Sequence, residues 1–127
     1  MDDYRITLHV YNTTKERLRC GQILCKDFDT LQVGEIVEPG ATKTYYAKTN
    51  DRVFCDFVGM ESGITYRLAM TCPRSSHNSA CGYGSAGLQP YTRTGYAEFK
   101  FDIGHKDLAD WNHGNSYEGD TVEYGDC

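Results

Sequence analysis

Six cysteines are the residues of this chain best suited to covalent chemistry, and their number and spacing predict disulfide bonds. They are Cys20, Cys25, Cys55, Cys72, Cys81 and Cys127. An even count at wide spacing is typical of proteins in an oxidising compartment, because cytosolic reductants keep thiols reduced. The cysteines also lack the Cys-x-x-Cys spacing of a structural zinc site. We therefore predict a secreted protein stabilised by disulfides, with no metal site and no cofactor.

Two disulfide pairings are expected from the positions of the cysteines. Cys72 and Cys81 should bond to each other, because a strand end and a nearby loop can bring their Cα atoms within about 4.4–6.8 Å. Cys127 ends an acidic tail that would fray if it were free. It is expected to pair with Cys20, Cys25 or Cys55, and the first two are favoured.

The histidines form no recognisable catalytic motif, and we predict that the protein is not an enzyme and has no catalytic residues. The chain contains no Gly-x-Ser-x-Gly and no His-Glu-x-x-His sequence. His77 and His105, together with Glu98, could in principle cleave RNA by acid/base catalysis, as in small secreted ribonucleases. A small secreted hydrolase or ribonuclease is therefore the less favoured alternative.

The aromatic residues favour a binding protein. The chain has ten tyrosines and one tryptophan, and a tyrosine ring suits sugar rings, lipid headgroups and protein partners alike. Most tyrosines, including Tyr4, Tyr45 and Tyr66, are expected in the core or between strands. The residues predicted to contact a ligand or membrane come from the Gly-rich segment 73–95 and the tail, and they are Arg74, His77, Tyr83, Leu88, Tyr91, Arg93 and Trp111.

Charge limits the possible partners. The net charge is −5, and residues 107–127 contain six acidic residues and no Lys or Arg. Without a basic surface, a nucleic-acid partner is not expected. No apolar run reaches the ~18 residues that a membrane-spanning helix needs. The first residues are acidic where a secretory leader is basic, so we expect either a mature domain or export by another route.

Alternation of apolar and polar residues predicts an all-β fold. The pattern is clearest in 4–11, 64–72 and 97–103. Weaker candidates, bounded by turn residues, are 21–25, 30–37, 42–48 and 52–58. No stretch of 11 residues has a helical period. These features predict an antiparallel β-sandwich of about seven short strands.

The chain is predicted to form a single domain, with residues 1–106 as the sandwich and 107–127 as an acidic tail packed on it. Residues 73–95 are rich in Gly and Ser and are expected to form a long loop, or a loop and a short edge strand. Asn12-Thr13-Thr14 matches the pattern of an N-glycosylation acceptor, which predicts an exposed turn.

Several segments resemble the aegerolysins. They are Ile6-x-Leu8-x-Val10-x-Asn12, residues 34–40 with the sequence GEIVEPG, Asn50-Asp51-Arg52, and Cys72-Pro73 followed by Ser75, Ser76 and Asn78. The resemblance implies a small acidic β-sandwich, similar in fold to the actinoporins, that binds membrane lipids. It also implies a small cytolysin or the targeting component of a two-component pore, which would have a second pore-forming protein as a partner.

Other segments resemble thaumatin-like proteins, namely Leu31-x-x-Gly34, Ala47-x-Thr49-Asn50 and Ala97-Glu98-Phe99. This second resemblance implies a glycan-binding or protein-binding module of the defence, effector or lectin type. The first interpretation, recognition of membrane lipids without catalysis, is the one we favour.

Overall fold

The fold is described from a computed structural model. The residues that it describes are 5–24, 28–48, 52–71, 79–83, 86–89 and 96–104. Several predictions fall on residues outside these stretches. They concern Arg74, His77, Tyr91, Arg93, Trp111, His105, Cys25, Cys72, Cys127 and the acidic tail 107–127.

Nine strands make up the described part of the chain. They are β1 (Arg5–Asn12), β2 (Leu18–Leu24), β3 (Ile36–Val37), β4 (Thr42–Ala47), β5 (Arg52–Gly59), β6 (Thr65–Thr71), β7 (Ser79–Tyr83), β8 (Ala86–Gln89) and β9 (Tyr96–Ile103). No helix occurs within these described stretches. The prediction of an all-β fold is confirmed.

The strands form two sheets, one of four strands in the order β4-β1-β9-β8 and one of five in the order β3-β2-β5-β6-β7. All pairs are antiparallel except β1 with β9, which run parallel. The prediction of a purely antiparallel sandwich is therefore wrong for this pair. Parallel neighbours need a long crossover connection, and β2 to β8 provide it between β1 and β9.

The strand predictions are confirmed for the clearly alternating segments and less accurate elsewhere. The predicted strand at 30–37 is reduced to the two residues of β3. The segment 73–95, which was predicted to hold at most one strand, contains both β7 and β8. Ile64 was predicted to point inward from a strand, but it precedes β6 and is exposed.

The core lies between the two sheets and consists of side chains at alternate strand positions. Ile6, Leu8 and Val10 of β1 are fully buried and pack with Phe57 of β5 and other apolar residues from both sheets. Burying one such side chain contributes about 1.5–3 kcal/mol. Alternation along the strands therefore places the apolar residues where they hold the sheets together.

A β-bulge in β2 moves the apolar residues at its end to the other face of the sheet. The register between β2 and β5 shifts between Cys20 and Gln22. After the shift Ile23 packs on the main core, and Leu24 packs against Phe54 and Ala69 in a separate buried cluster. An extra residue in one strand changes which face every later side chain occupies.

The side chain of Asn12 connects the two sheets where β1 ends. It is 0% exposed. Its Nδ2 donates to the carbonyl oxygens of Glu16 (2.8 Å) and Val37 (2.9 Å). Its Oδ1 accepts from the backbone N–H and the hydroxyl of Thr14, at 2.9 and 2.6 Å. The prediction of exposure is wrong for Asn12, because its amide is buried and already donates two hydrogen bonds.

Cys20 and Cys55 are buried and carry free thiols, so the prediction that they form disulfides is wrong. Cys20 lies opposite Phe57, and Cys55 lies opposite Ile23. The two cysteines are thus diagonal neighbours, whose Cα atoms are typically about 7–8 Å apart in a sheet. That is beyond the usual reach of a disulfide. Cys127 lies outside the described residues, and the free thiol of Cys20 speaks against the predicted bond between these two cysteines.

Burial also makes these thiols unreactive. Desolvation raises the pKa of Cys20 to about 11, and it raises the pKa of Cys55 well above its ordinary value. Because the thiolate is the reactive form, both residues behave as small apolar side chains in the core.

Replacing Asn12 with Ala should destabilise the fold. The substitution leaves the carbonyl groups of Glu16 and Val37 without these donors, and a buried polar group without a partner costs about 1–3 kcal/mol. We expect the free energy of unfolding to fall by about 3 kcal/mol in urea denaturation. Gln32→Ala, which changes an exposed side chain, is the control and should have little effect. Equal stability of the two variants would contradict the role of Asn12.

Alkylation followed by peptide mapping can check the state of the two buried thiols. In the native protein without reductant, we expect iodoacetamide to leave Cys20 and Cys55 unmodified, since both are buried and protonated. In urea, still without reductant, both should be alkylated completely. A disulfide-linked peptide containing either residue in the unfolded sample would disagree with the structure.

Candidate functional site

The predicted contact residues are only partly within the described stretches. Tyr83 lies at the end of β7 and Leu88 lies in β8. These strands form neighbouring edges of the two sheets, and in the backbone register Tyr83 lies opposite Arg67 while Leu88 lies opposite Phe101. The other five predicted residues lie outside the described residues, so a shared site of all seven stays a prediction.

A different surface stands out among the described residues. The turn between β5 and β6, residues Gly59–Ile64, is called the β5–β6 loop below. It exposes two large apolar side chains, with Met60 52% and Ile64 48% exposed. Large apolar side chains grouped on a surface mark contact sites for partners or membranes more often than single ones do.

Backbone hydrogen bonds give the β5–β6 loop a defined shape. Gly59 N–H donates to the carbonyl of Ile64, and Gly63 N–H donates to the carbonyl of Gly59, both at 2.9 Å. Gly63 has a φ of 75°, a conformation that side chains other than glycine disfavour. Met60 N–H donates to the carbonyl of Arg17 at 2.9 Å. The loop is therefore tied both to itself and to the chain before β2.

The carboxylate of Glu16 binds the tip of the loop. Its Oε1 accepts from the backbone N–H groups of Glu61 (2.7 Å) and Ser62 (2.9 Å), and its Oε2 accepts from the Ser62 hydroxyl (2.7 Å). These bonds, with the Ser62 hydroxyl as the largest contributor, lower the pKa of Glu16. Charge-assisted hydrogen bonds of this kind are stronger than neutral ones, so the carboxylate fixes the loop.

Glycine at position 59 leaves room for this arrangement. A Cβ atom there would lie 2.6 Å from both Glu16 Oε2 and Ser62 Oγ. A side chain at this position would make the Glu16 carboxylate and the Ser62 hydroxyl shift from their present hydrogen bond. The sequence therefore provides a carboxylate, a hydroxyl and a glycine that together hold the apolar side chains in place.

The charges around the β5–β6 loop nearly balance. Lys15 and Arg17, which flank Glu16 in the sequence, are exposed, as are Glu38 and the loop residue Glu61, and Arg17 Nε is paired with Glu38 Oε1 at 3.0 Å. With Glu16 included, two cations face three carboxylates. Among the described residues of this surface, positive charge does not exceed negative charge, so they would not attract an anionic partner.

Two further features are absent among the described residues, a metal-binding cluster and a membrane-spanning helix. Within them, no group of three or more His, Cys, Asp and Glu side chains is placed to hold a metal ion. The same part of the chain contains no helix with the length and apolar character needed to cross a membrane. The ordered loop can present Met60 and Ile64 to a partner as an apolar surface.

The sequence analysis ended one candidate strand at residue 58 and began the next at 64, which leaves 59–63 as a turn, but it missed Met60 and Ile64 as contact residues. Ile64 matched the alternation of the following strand, which hid its exposure. The available signal was the pair of large apolar residues within a turn that also contains Glu61, Ser62 and Gly63.

The fold is similar to that of a solved lipid binding protein, Nakanori. The match has a TM-score of 0.59 at 9% sequence identity, and it covers 79% of this chain and 70% of that chain. At this identity the similarity concerns the fold. The resemblance to lipid-binding β proteins is thereby supported at the level of architecture. No known protein family matches the chain, and no curated protein sequence matches it either.

Replacing Glu16 with Gln should weaken the fold in a pH-dependent way. The pKa of this carboxyl is lower in the folded protein than in the unfolded chain, so its stabilising effect is complete above about pH 4.3, the ordinary value for Glu. The effect is lost as pH falls through the folded-state pKa. We expect Glu16→Gln to lower the Tm at neutral pH, and the difference from wild type to shrink in strong acid.

Thermal unfolding followed by circular dichroism at a series of pH values measures this difference. Glu61→Gln is the matched control, because Glu61 is an exposed carboxylate within the same loop and only its backbone N–H binds Glu16. It should change the Tm only slightly at any pH. A Tm difference for Glu16→Gln that is constant across the series would show that the charge of Glu16 does not hold the loop.

Proposed function

We propose that this protein binds lipid membranes and that the β5–β6 loop is the part that enters the bilayer surface. The observation that carries the proposal is the exposure of Met60 and Ile64 on a loop fixed by Glu16. The similarity in fold to Nakanori, a lipid binding protein, supports the same conclusion. We also propose that the protein acts outside the cell and binds without catalysing a reaction.

The expected strength of this contact is modest. Complete burial of a large apolar side chain is worth about 1.5–3 kcal/mol, and Met60 and Ile64 are each about half exposed. Their transfer from water into the bilayer should then contribute about 1 kcal/mol each, or about 2 kcal/mol together. This corresponds to a change of about 30-fold in the partition constant.

The β5–β6 loop is already ordered before binding, so most of the free energy from burying Met60 and Ile64 can contribute to affinity. A flexible loop loses side-chain and backbone freedom when it is ordered at an interface, which reduces the net affinity. Here the loop is already held by the hydrogen bonds of Gly59, Gly63 and Glu16. Little of the gain from burying the apolar side chains is therefore lost to ordering.

The balance of charge indicates which lipids the loop would enter. Binding to anionic membranes gains about 1 kcal/mol for each Lys or Arg near the surface. The two cations near the loop are offset by carboxylates, and the whole chain has a net charge of −5. We propose that the preferred surface is a membrane of uncharged or zwitterionic lipids.

Vesicle co-sedimentation tests the proposal. The double variant Met60→Ser, Ile64→Ser should bind phosphatidylcholine vesicles about 30-fold more weakly than wild type, because both side chains lose their gain from leaving water. Adding anionic lipid should not increase the binding of the wild-type protein. Val33→Ser is the matched control, since Val33 is 54% exposed but lies on another segment.

The proposal fails if the double variant binds vesicles as well as wild type does, or if Val33→Ser weakens binding equally. Circular dichroism of each variant shows whether it is folded. The described residues do not bear on a glycan ligand or on a second pore-forming protein, and these partners stay predictions.

A further inference from the structure

The thioether sulfur of Met60 is a reactive atom on the surface of the β5–β6 loop. Among the described residues, Met60 is 52% exposed, whereas Met70 lies in β6 and is 0% exposed. A thioether is oxidised to a sulfoxide under mild conditions, and the oxidant must first reach the sulfur. The fold therefore leaves the sulfur of Met60 accessible and protects that of Met70.

Oxidation changes the polarity of a methionine side chain more than its size. The sulfoxide oxygen accepts hydrogen bonds, so a flexible apolar group becomes a polar one. Moving a polar group from water into an apolar medium is unfavourable unless it finds a hydrogen-bond partner there. A sulfoxide at Met60 would therefore oppose entry of the loop into a bilayer, whereas the thioether favours it.

The hydrogen bonds that shape the β5–β6 loop do not involve the thioether. They are made by backbone groups of the loop and by the Glu16 carboxylate, which also accepts from the Ser62 hydroxyl. To these bonds Met60 contributes its backbone N–H, which donates to the carbonyl of Arg17. Oxidation of the sulfur therefore leaves the loop in place, and the loop then presents a polar group where it presented an apolar one.

The other exposed apolar side chain of the loop does not respond to a mild oxidant. Ile64 is 48% exposed, and its side chain is a hydrocarbon without a sulfur atom. Met60 and Ile64 have equal shares in the expected gain of about 30-fold in partition, so loss of the Met60 share weakens binding by about fivefold. The polarity of the sulfoxide adds to this loss.

We propose that Met60 is a reversible oxidation site that regulates the membrane contact of the β5–β6 loop. The inference rests on the function proposed above for this loop. The oxidant is a peroxide. A lone pair of the Met60 sulfur attacks one peroxide oxygen, the O–O bond breaks and an S–O bond forms. The thioether loses two electrons, and hydrogen peroxide is reduced to water.

The modification can be reversed, because methionine sulfoxide reductases return a sulfoxide to the thioether. The reduction consumes two thiols, which become a disulfide, and it releases the sulfoxide oxygen as water. Met60 is accessible to such an enzyme because it lies half exposed on a loop. The membrane contact is therefore weakened by a peroxide and restored by a reductase.

Vesicle co-sedimentation after mild treatment with hydrogen peroxide tests the proposal. Peptide mapping by mass spectrometry should find a sulfoxide at Met60 and an unmodified Met70. The treated wild-type protein should bind phosphatidylcholine vesicles at least about fivefold more weakly than the untreated protein. Methionine sulfoxide reductases with a thiol should restore the binding. The Tm should not change, since the hydrogen bonds of the loop are kept.

Met60→Leu is the matched control for the treatment. It has an apolar side chain without sulfur at position 60, and it retains Met1, Met70 and all the cysteines. Its vesicle binding before treatment is its own reference, and peroxide should not change that binding. Met60→Gln, which has a polar side chain of similar length, should bind weakly without any treatment.

Three results would overturn the regulation but not the loop contact. The first is a Met60 that stays unmodified while Met70 is oxidised. The second is a Met60 sulfoxide that binds vesicles as well as the untreated protein does. The third is an equal loss of binding in treated Met60→Leu and treated wild type. In each case weaker binding by the double variant Met60→Ser, Ile64→Ser still supports the loop contact. Absence of vesicle binding by the untreated wild-type protein overturns both proposals.

Discussion

The buried side chain of Asn12 is the constraint on which one end of the sandwich depends. It belongs to β1 in the four-stranded sheet, and it donates to the carbonyl of Val37 in the five-stranded sheet. The same amide group donates to the carbonyl of Glu16 and accepts from Thr14. A neutral amide suits this place because it donates and accepts at once, whereas a carboxylate would face two carbonyl oxygens. The turn between β1 and β2 takes its shape from these bonds.

The position of the β5–β6 loop follows from that turn. Because Asn12 holds the backbone at Glu16, the Glu16 side chain starts from a fixed point and reaches the N–H groups of Glu61 and Ser62. A short sequence of polar contacts thus connects the junction of the two sheets to a loop with exposed apolar residues. Several hydrogen bonds fix the β5–β6 loop, although a shorter hairpin turn could connect β5 and β6. The result is an ordered loop that exposes Met60 and Ile64.

Features of the fold that follow from alternation of apolar and polar residues could be predicted from the sequence. Features that depend on which strand or loop a residue contacts could not. Alternating residues in β1, β6 and β9 marked those strands, since burial of one face leaves that pattern in any sheet. The pattern is the same for either strand direction, so the parallel pairing of β1 with β9 could not be read from it. The bulge after Cys20 changes the face of later residues, and the signal for it in the sequence is Gly21, a glycine within a strand pattern. Ile64 was predicted to lie in a strand because the alternation of β6 extends back to it. In the structure its carbonyl accepts a hydrogen bond from Gly59 within the loop, and β6 begins at the next residue.

The number of cysteines led to a prediction of disulfide bonds that is wrong for Cys20 and Cys55. Six cysteines favour disulfides when nothing else is known, but Cys20 and Cys55 occupy inward positions of β2 and β5 among Phe57, Leu68 and other core residues. At such positions a thiol contributes as a small apolar group, and its raised pKa keeps it unreactive. A chain of 127 residues can build a core of this size without crosslinks. At these two positions packing between the sheets, rather than covalent bonds, holds the fold together, so their presence no longer argues for an oxidising compartment.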